Sequence, residues 1–194
     1  MIGLLALALA GACGRVVKKD GPYETTAEVQ ARRELADHVV AGWADDARFA
    51  ARALLEKYGA PDEVHSSRIV WSARGPWKKT TVHDAPPPYA GSETAELEVV
   101  EQTLAYPLKP EQADLLKPFG RTLAFDSVTG ELTVRSDRES VNFLRVNLAD
   151  EVVTGRLTAE QAKEAHARIL ALEAAGKATG YTTGLRFAPE LGTP

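Results

Sequence analysis

Between Arg68 and Val82 the chain has almost no choice of topology. Arg68-Ile-Val-Trp-Ser72 and Trp77 to Val82 are β-branched and aromatic runs, separated only by turn residues around Arg74-Gly75-Pro76. A parallel pair needs a crossover of about a dozen residues or more, so these two strands form an antiparallel hairpin. Arg121 to Asp126 and Glu131 to Arg135 repeat the arrangement, with Thr129-Gly130 in the turn. Thr94 to Tyr106 reads as a long strand whose alternation slips at Val99-Val100, where a bulge would change the face presented to the core. The preceding stretch, Ala85-Pro86-Pro87-Pro88 to Ser92, is a stiff extended loop, since prolines cannot join a ladder.

Helical spacing flanks these strands on both sides. Val29, Leu35, Val39 and Val40 place a weakly amphipathic helix over residues 28–40, interrupted at Gly42. Asp45 or Asp46 caps a second helix, with Phe49, Ala53 and Leu54 on one face and Tyr58 one turn on. Gly59 and Pro61 stop it. Pro110 suits the first position of a short helix to about Lys117 that buries Leu115 and Leu116. Asp137 caps a helix carrying Val141, Leu144, Leu148 and Val152, which ends at Gly155. Thr158-Ala-Glu-Gln161 is a capping box for a last helix striped by Ala162, Ala165, Ile169 and Leu172. The expectation is an α+β fold: a mostly antiparallel sheet of about five strands, with helices packed on one face.

The N-terminus constrains location rather than fold. Ile2 to Ala12 is apolar and uncharged, much shorter than the roughly 20 residues of a membrane-spanning helix, and it ends at the only cysteine. It reads as the core of an export signal over residues 1–12. Leu9-Ala10-Gly11-Ala12-Cys13 resembles a bacterial lipobox, which makes Cys13 the lipidation site, although the leucine stands one place too far from the cysteine. Ordinary secretory cleavage after Ala12, giving a soluble periplasmic protein, and a cytoplasmic chain with an irregular N-terminus are the alternatives. A lone cysteine forms no intramolecular disulfide, and thioether attachment of lipid would remove a reactive thiol from an oxidising compartment. Residues 13–27 then form the lipid attachment site and tether, residues 28–176 a single α+β domain, and residues 177–194 a loosely packed tail. Arg15 to Lys19 lies where anionic headgroups would meet it, or is simply a solvated tether.

Hydrophobic content of 44% and charged content of 26% are those of an ordinary globular domain. The formal charge of −4 has no basic block to match it, which argues against a nucleic-acid partner. No H-x-x-x-H pair, phosphate-binding glycine loop or nucleophile elbow is present, so no catalytic, cofactor-binding or metal residue is assigned. His65 and His83 flank the first hairpin and would make a metal site with Asp62, Glu63 or Asp84 only if the fold brought them together. The aromatic set stands out more. Trp71 is core, whereas Trp77 either covers the hairpin or joins Arg74, Lys78 and Lys79 in a partner-binding surface.

Two resemblances rest on these segments. Tyr58-Gly59-Ala60-Pro61-Asp62-Glu63, Ile69-Val-Trp71, Gly75-Pro76-Trp77-Lys78, Asn142-Phe143-Leu144, Asn147-Leu148-Ala149 and Val153-Thr154-Gly155 resemble an uncharacterised family of bacterial envelope proteins. That likeness spans most of residues 45–170 and implies an envelope location without an activity. More distantly, Phe49 to Tyr106 is similar to the small lipoprotein of the outer-membrane barrel assembly machinery in its order of helix, Gly-x-Pro turn and three strands. The elements from Lys109 onward depart from that smaller fold. Together these features predict a membrane-anchored lipoprotein of the cell envelope, facing the periplasm. It would act as a non-catalytic binding or structural module for another envelope protein or an anionic envelope polymer. A periplasmic enzyme with a composite site near the first hairpin, or a soluble carrier of a small apolar ligand, are the alternatives.

Overall fold

The computed structural model describes residues 24–85 and 98–188. Cys13, the export signal, most of the tether and the proline loop at 86–88 lie outside these residues. Helices α1 (Thr26–Ala41) and α2 (Asp45–Tyr58) lead into strands β1 (Glu63–His65), β2 (Arg68–Arg74), β3 (Trp77–His83) and β4 (Val100–Ala105). A short helix α3 (Pro110–Ala113) runs into a 3-10 stretch (Asp114–Thr122), followed by β5 (Leu123–Asp126) and β6 (Glu131–Ser136). Helices α4 (Glu139–Val153) and α5 (Ala159–Ala174) complete the α+β fold. The strands form one antiparallel sheet in the order β1-β2-β3-β4-β6-β5.

Six strands replace the five expected. The addition, β1, is only three residues long, too short for alternation to register in the sequence. Its pairing partner β2 holds it in place, and Asp62 helps: its backbone N–H donates to Val70 O at 2.7 Å, and its carboxylate accepts from Ser72 N at 2.6 Å.

The inward face of the sheet follows from the register. Ile69 pairs with Val82 and Val82 with Val100; Trp71 pairs with Thr80 and Thr80 with Gln102; Leu104 pairs with Leu132. All of these side chains are fully buried. Residues of the other parity carry polar groups, with Arg135 Nε donating to Glu101 at 2.7 Å and Thr103 facing Thr133 at 2.9 Å. Alternation breaks at the hairpin end, where Ala73 and Gly75 take φ of +53° and +57°. Lys78 and Lys79 are both exposed there and Trp77 turns into the core.

Helices α1 and α2 cover one half of the inward face. Their contribution is mainly small residues, Ala36, Ala47, Ala50 and Ala51 with Leu54 and Leu55, packed on Trp43, Ile69, Trp71 and Val82. Phe49 was expected on this face. Instead it is 68% exposed, because the two indoles already fill the space and only alanine lets the helices approach closely. The caps also differ from expectation. A Thr25–Glu28 capping box opens α1 at Thr26, two residues inside the expected tether. Asp45 and Asp46 lie inside the first turn of α2, whose N-cap is Ala44.

Between Pro110 and Thr122 the expected single helix gives way to a 3-10 path. Leu116 is buried, Leu115 is 43% exposed, and Pro118 removes the donor an α-helix needs. Arg138, not Asp137, is the N-cap of α4. Asp137 turns outward to pair with Arg138. The capping box of α5 stands as read, with Thr158 Oγ1 accepting from Gln161 N at 3.2 Å.

Candidate functional site

Helix α4 decides where the polar chemistry of this domain sits. Its apolar residues recur at helical intervals, yet every residue from Val141 to Asp150 is buried, polar ones included. A helix buried on all sides must give each polar side chain a partner, since an unsatisfied buried group costs about 1–3 kcal/mol. The sheet contacts one face, through Phe143 and Val146 with Leu132 and Val134. Leu144, Leu148 and Val152 pack on Ala162, Ala165 and Ile169 of α5.

Glu139, at the start of α4, is 9% exposed and is the hub of the largest network. Trp77 Nε1 donates to its Oε1 at 2.8 Å and Gln102 Nε2 at 3.0 Å, with Tyr58 Oη donating to the same oxygen. Lys57 Nζ donates to Oε2. Gln102 Oε1 accepts from Asn142 Nδ2 at 3.0 Å, and Asn142 Oδ1 accepts from Ser136 Oγ at 2.7 Å. One carboxylate thus ties together the end of α2, strands β3 and β4 and the first turn of α4. Burial works against its ionisation, but hydrogen bonds from Lys57, Tyr58 and Gln102 outweigh burial and hold its pKa below the ordinary value. The Tyr58 phenol is pushed up, first by burial and then by the carboxylate it serves.

Asp150 and Asn147 perform the same service farther along. Tyr106 Oη donates to Asp150 at 2.9 Å, and Arg156 pairs with its other oxygen. Asn147 Nδ2 donates to the carbonyls of Tyr181 at 3.0 Å and Gly184 at 2.8 Å, while its Oδ1 accepts from Arg186 N at 2.8 Å. These three bonds correct the expectation of a loose tail for residues 177–188. Phe187 packs edge-on to Tyr106 with ring centroids 5.3 Å apart, and the Arg186 guanidinium lies 4.2 Å from the Tyr181 ring centroid. The sequence hid this because the tail has no periodicity and its anchor is a side chain on another element. Asn147→Ala is expected to cost about 2 kcal/mol and to speed amide exchange selectively over residues 179–187. Uniform exchange across α4 and the tail would contradict the clasp.

The sequence-derived surface of Arg74, Trp77, Lys78 and Lys79 does not assemble as one face. Trp77 is 1% exposed, tilted against Phe143 with ring centroids 5.0 Å apart, and hydrogen-bonded to Glu139, so it is a core residue. Arg74 pairs with Asp62 at 3.2 Å and the exposed Lys78 with Glu131, so two of the three cations are held in ion pairs within the domain. His65 and His83 are likewise kept apart: both pair with Arg68, from opposite sides. Two strand spacings, about 9–10 Å, and a guanidinium-bearing residue separate them. Among the described residues no cluster of three or more His, Cys, Asp or Glu side chains is arranged for a metal ion, and no helix is long and apolar enough to cross a membrane.

A cleft of about 470 Å³ opens where the 3-10 stretch meets α4 and α5. Pro118 and Phe119 form one wall, and Ala159 and Ala162 the facing one. Arg145, Lys163 and His166 also line it, with Glu160 and Thr122. Spacings of four and three put Ala159, Lys163 and His166 on one stripe of α5. The sequence reading missed this site, since its residues come from three separate segments. No sequence signal singles them out, since Lys163 and His166 read as ordinary polar residues of the last helix.

No family model matches this chain, and neither a curated protein nor a solved structure matches it.

Proposed function

We propose that this chain is a membrane-anchored envelope lipoprotein whose α+β domain is a non-catalytic binding or structural module. The observation that carries the reading is the position of the domain relative to Cys13. The Thr25–Glu28 capping box starts the fold at Thr26, and the span from Cys13 to Thr25 has a contour length of about 40 Å. That length lets a lipid on Cys13 sit in a bilayer while the domain stands clear of the headgroups. The apolar run Ile2–Ala12 before the cysteine supports the same location.

The internal ionisable groups support the non-catalytic half. Glu139 is held by donors from α2, β3 and β4, and Asp150 by Tyr106 and Arg156 from the segments that follow β4 and α4, as cross-links are.

The intact mass of the protein extracted from its native membranes tests the anchor. A mass above that of a chain starting at Cys13, returning to the bare chain in a Cys13→Ser variant, is the expected result. A bare chain starting at Cys13 would instead make this a soluble exported protein. An intact Met1 would end the export reading.

A further inference from the structure

We propose that the cleft between the 3-10 stretch and α5 binds a compact, uncharged aromatic molecule of one or two rings. Its volume of about 470 Å³ lies inside the range of small-molecule sites, about 300–1,000 Å³. Protein-protein contacts of ordinary size use flatter and wider surfaces, so a small ligand suits the shape better than a macromolecule.

The polar groups around the cleft already have their partners. Arg145 is 7% exposed and donates to the carbonyl of Arg135, and His166 has a partner of its own. Thr122 Oγ1 donates to the carbonyl of Phe119 at 2.8 Å. At the rim, Glu160 and Lys163 are both exposed, one turn apart on α5, and their formal charges cancel. A charged ligand would give up its hydration to groups that are satisfied or balanced, whereas an uncharged one gives up little.

What the lining offers a ligand is apolar surface. Pro118 and Phe119 form one wall, and the methyl side chains of Ala159 and Ala162 keep the facing wall low, so the slot between them stays open. Phe119 is half-buried and packs against two core clusters at once, one holding Leu132 and Val146, the other Leu144, Leu148 and Ala162. A ligand seated against its ring therefore extends the core outward and takes its own apolar area out of water.

Two features select an aromatic ring over a saturated body of the same size. The Phe119 ring favours a second ring set offset or edge-on against it. Lys163, at the rim, lays its aliphatic stem along the slot and brings its ammonium over the outer face of that ring, where the π-cloud attracts a cation. The ligand ring thus lies between Phe119 and Ala159, with Lys163 above it. This site stands independently of the lipid anchor, because none of its residues lies near Cys13 in sequence and its lining is complete within the described domain.

An amide chemical-shift titration of the full chain carrying Cys13→Ser tests the inference, with phenethyl alcohol, cyclohexylethanol and phenylacetate as probes. Phenethyl alcohol is expected to saturate a single site with a Kd of roughly 1 mM, moving the signals of Phe119 and of Ala159 to His166. Cyclohexylethanol, which loses the ring contacts, should bind about three- to tenfold more weakly, and phenylacetate, which keeps the ring but adds a charge, should also bind more weakly. Ala159→Phe fills the slot and should abolish saturation, with an unchanged circular dichroism spectrum and Tm establishing that the variant is folded. Equal affinity for the aromatic and the saturated alcohol would overturn the proposal, as would tighter binding of phenylacetate. So would shifts centred elsewhere in the domain, saturation that Ala159→Phe leaves intact, or no binding up to about 20 mM. These outcomes are separate from the mass measurement, which reads the anchor alone.

Discussion

Glu139→Ala is expected to destabilise the domain by about 3–5 kcal/mol, one of the two largest effects of any single substitution we foresee. The cost comes less from the lost side chain than from the groups left behind. Trp77 Nε1 is a buried donor that would have no acceptor, Gln102 Nε2 would keep only Thr80 Oγ1, and Lys57 would lose its partner beside the Phe143 ring. Glu139→Gln keeps an acceptor for Trp77 and Gln102 but removes the charge and turns an amide NH2 toward Lys57 Nζ, so it should cost about 1–2 kcal/mol. Urea unfolding of both variants measures the difference. A loss under about 1 kcal/mol for the alanine variant would mean that the network stabilises nothing.

The same carboxylate sets a pH dependence whose sign is fixed. Its pKa in the folded chain lies below the ordinary 4.5, so the unfolded chain takes up a proton first as the pH falls. The stabilisation is complete above that ordinary value and is lost as the pH drops through the lower, folded one. Wild type and Glu139→Gln should therefore differ most near neutral pH and converge in acid. A difference that stays constant well below 4.5 would show that the charge is not the source.

Trp71→Ala is expected to cost about 3–5 kcal/mol. The indole is fully buried between α2 and the sheet, and its Nε1 donates to Gly59 O at 3.1 Å, so truncation opens a cavity and strands the carbonyl that ends α2. The tilted contact with Tyr58, centroids 6.3 Å apart, would go with it and loosen the neighbouring Glu139 site. Phe49→Ser, on the exposed side of α2, provides the contrast and should change stability by less than about 0.5 kcal/mol. Thermal unfolding of the two variants side by side decides the point. Comparable losses would mean that the helix packs the other way round.

What the chain settled alone was local. Both hairpins were legible because connections of two and four residues leave strands no alternative but to pair, and Gly75 and Gly130 supply the positive φ such turns use. The last two helices were legible because apolar spacing and the Thr158–Gln161 box are carried by neighbours in sequence. Strand β1 was not, for three residues carry no period and only Asp62 and β2 make it a strand.

The face a residue occupies was decided by the tertiary structure. Nothing beside Phe49 announces that two indoles have taken its place in the core, and nothing beside Trp77 announces the carboxylate it reaches across 62 positions. Polar residues within an apolar helix read as its solvent side, yet Glu139, Asn142, Asn147 and Asp150 became the interior cross-links once the sheet, α5 and the tail closed around α4. Hydrogen-bonding partners of buried groups are chosen by proximity in space. A single sequence records which groups need a partner, and only the fold supplies it.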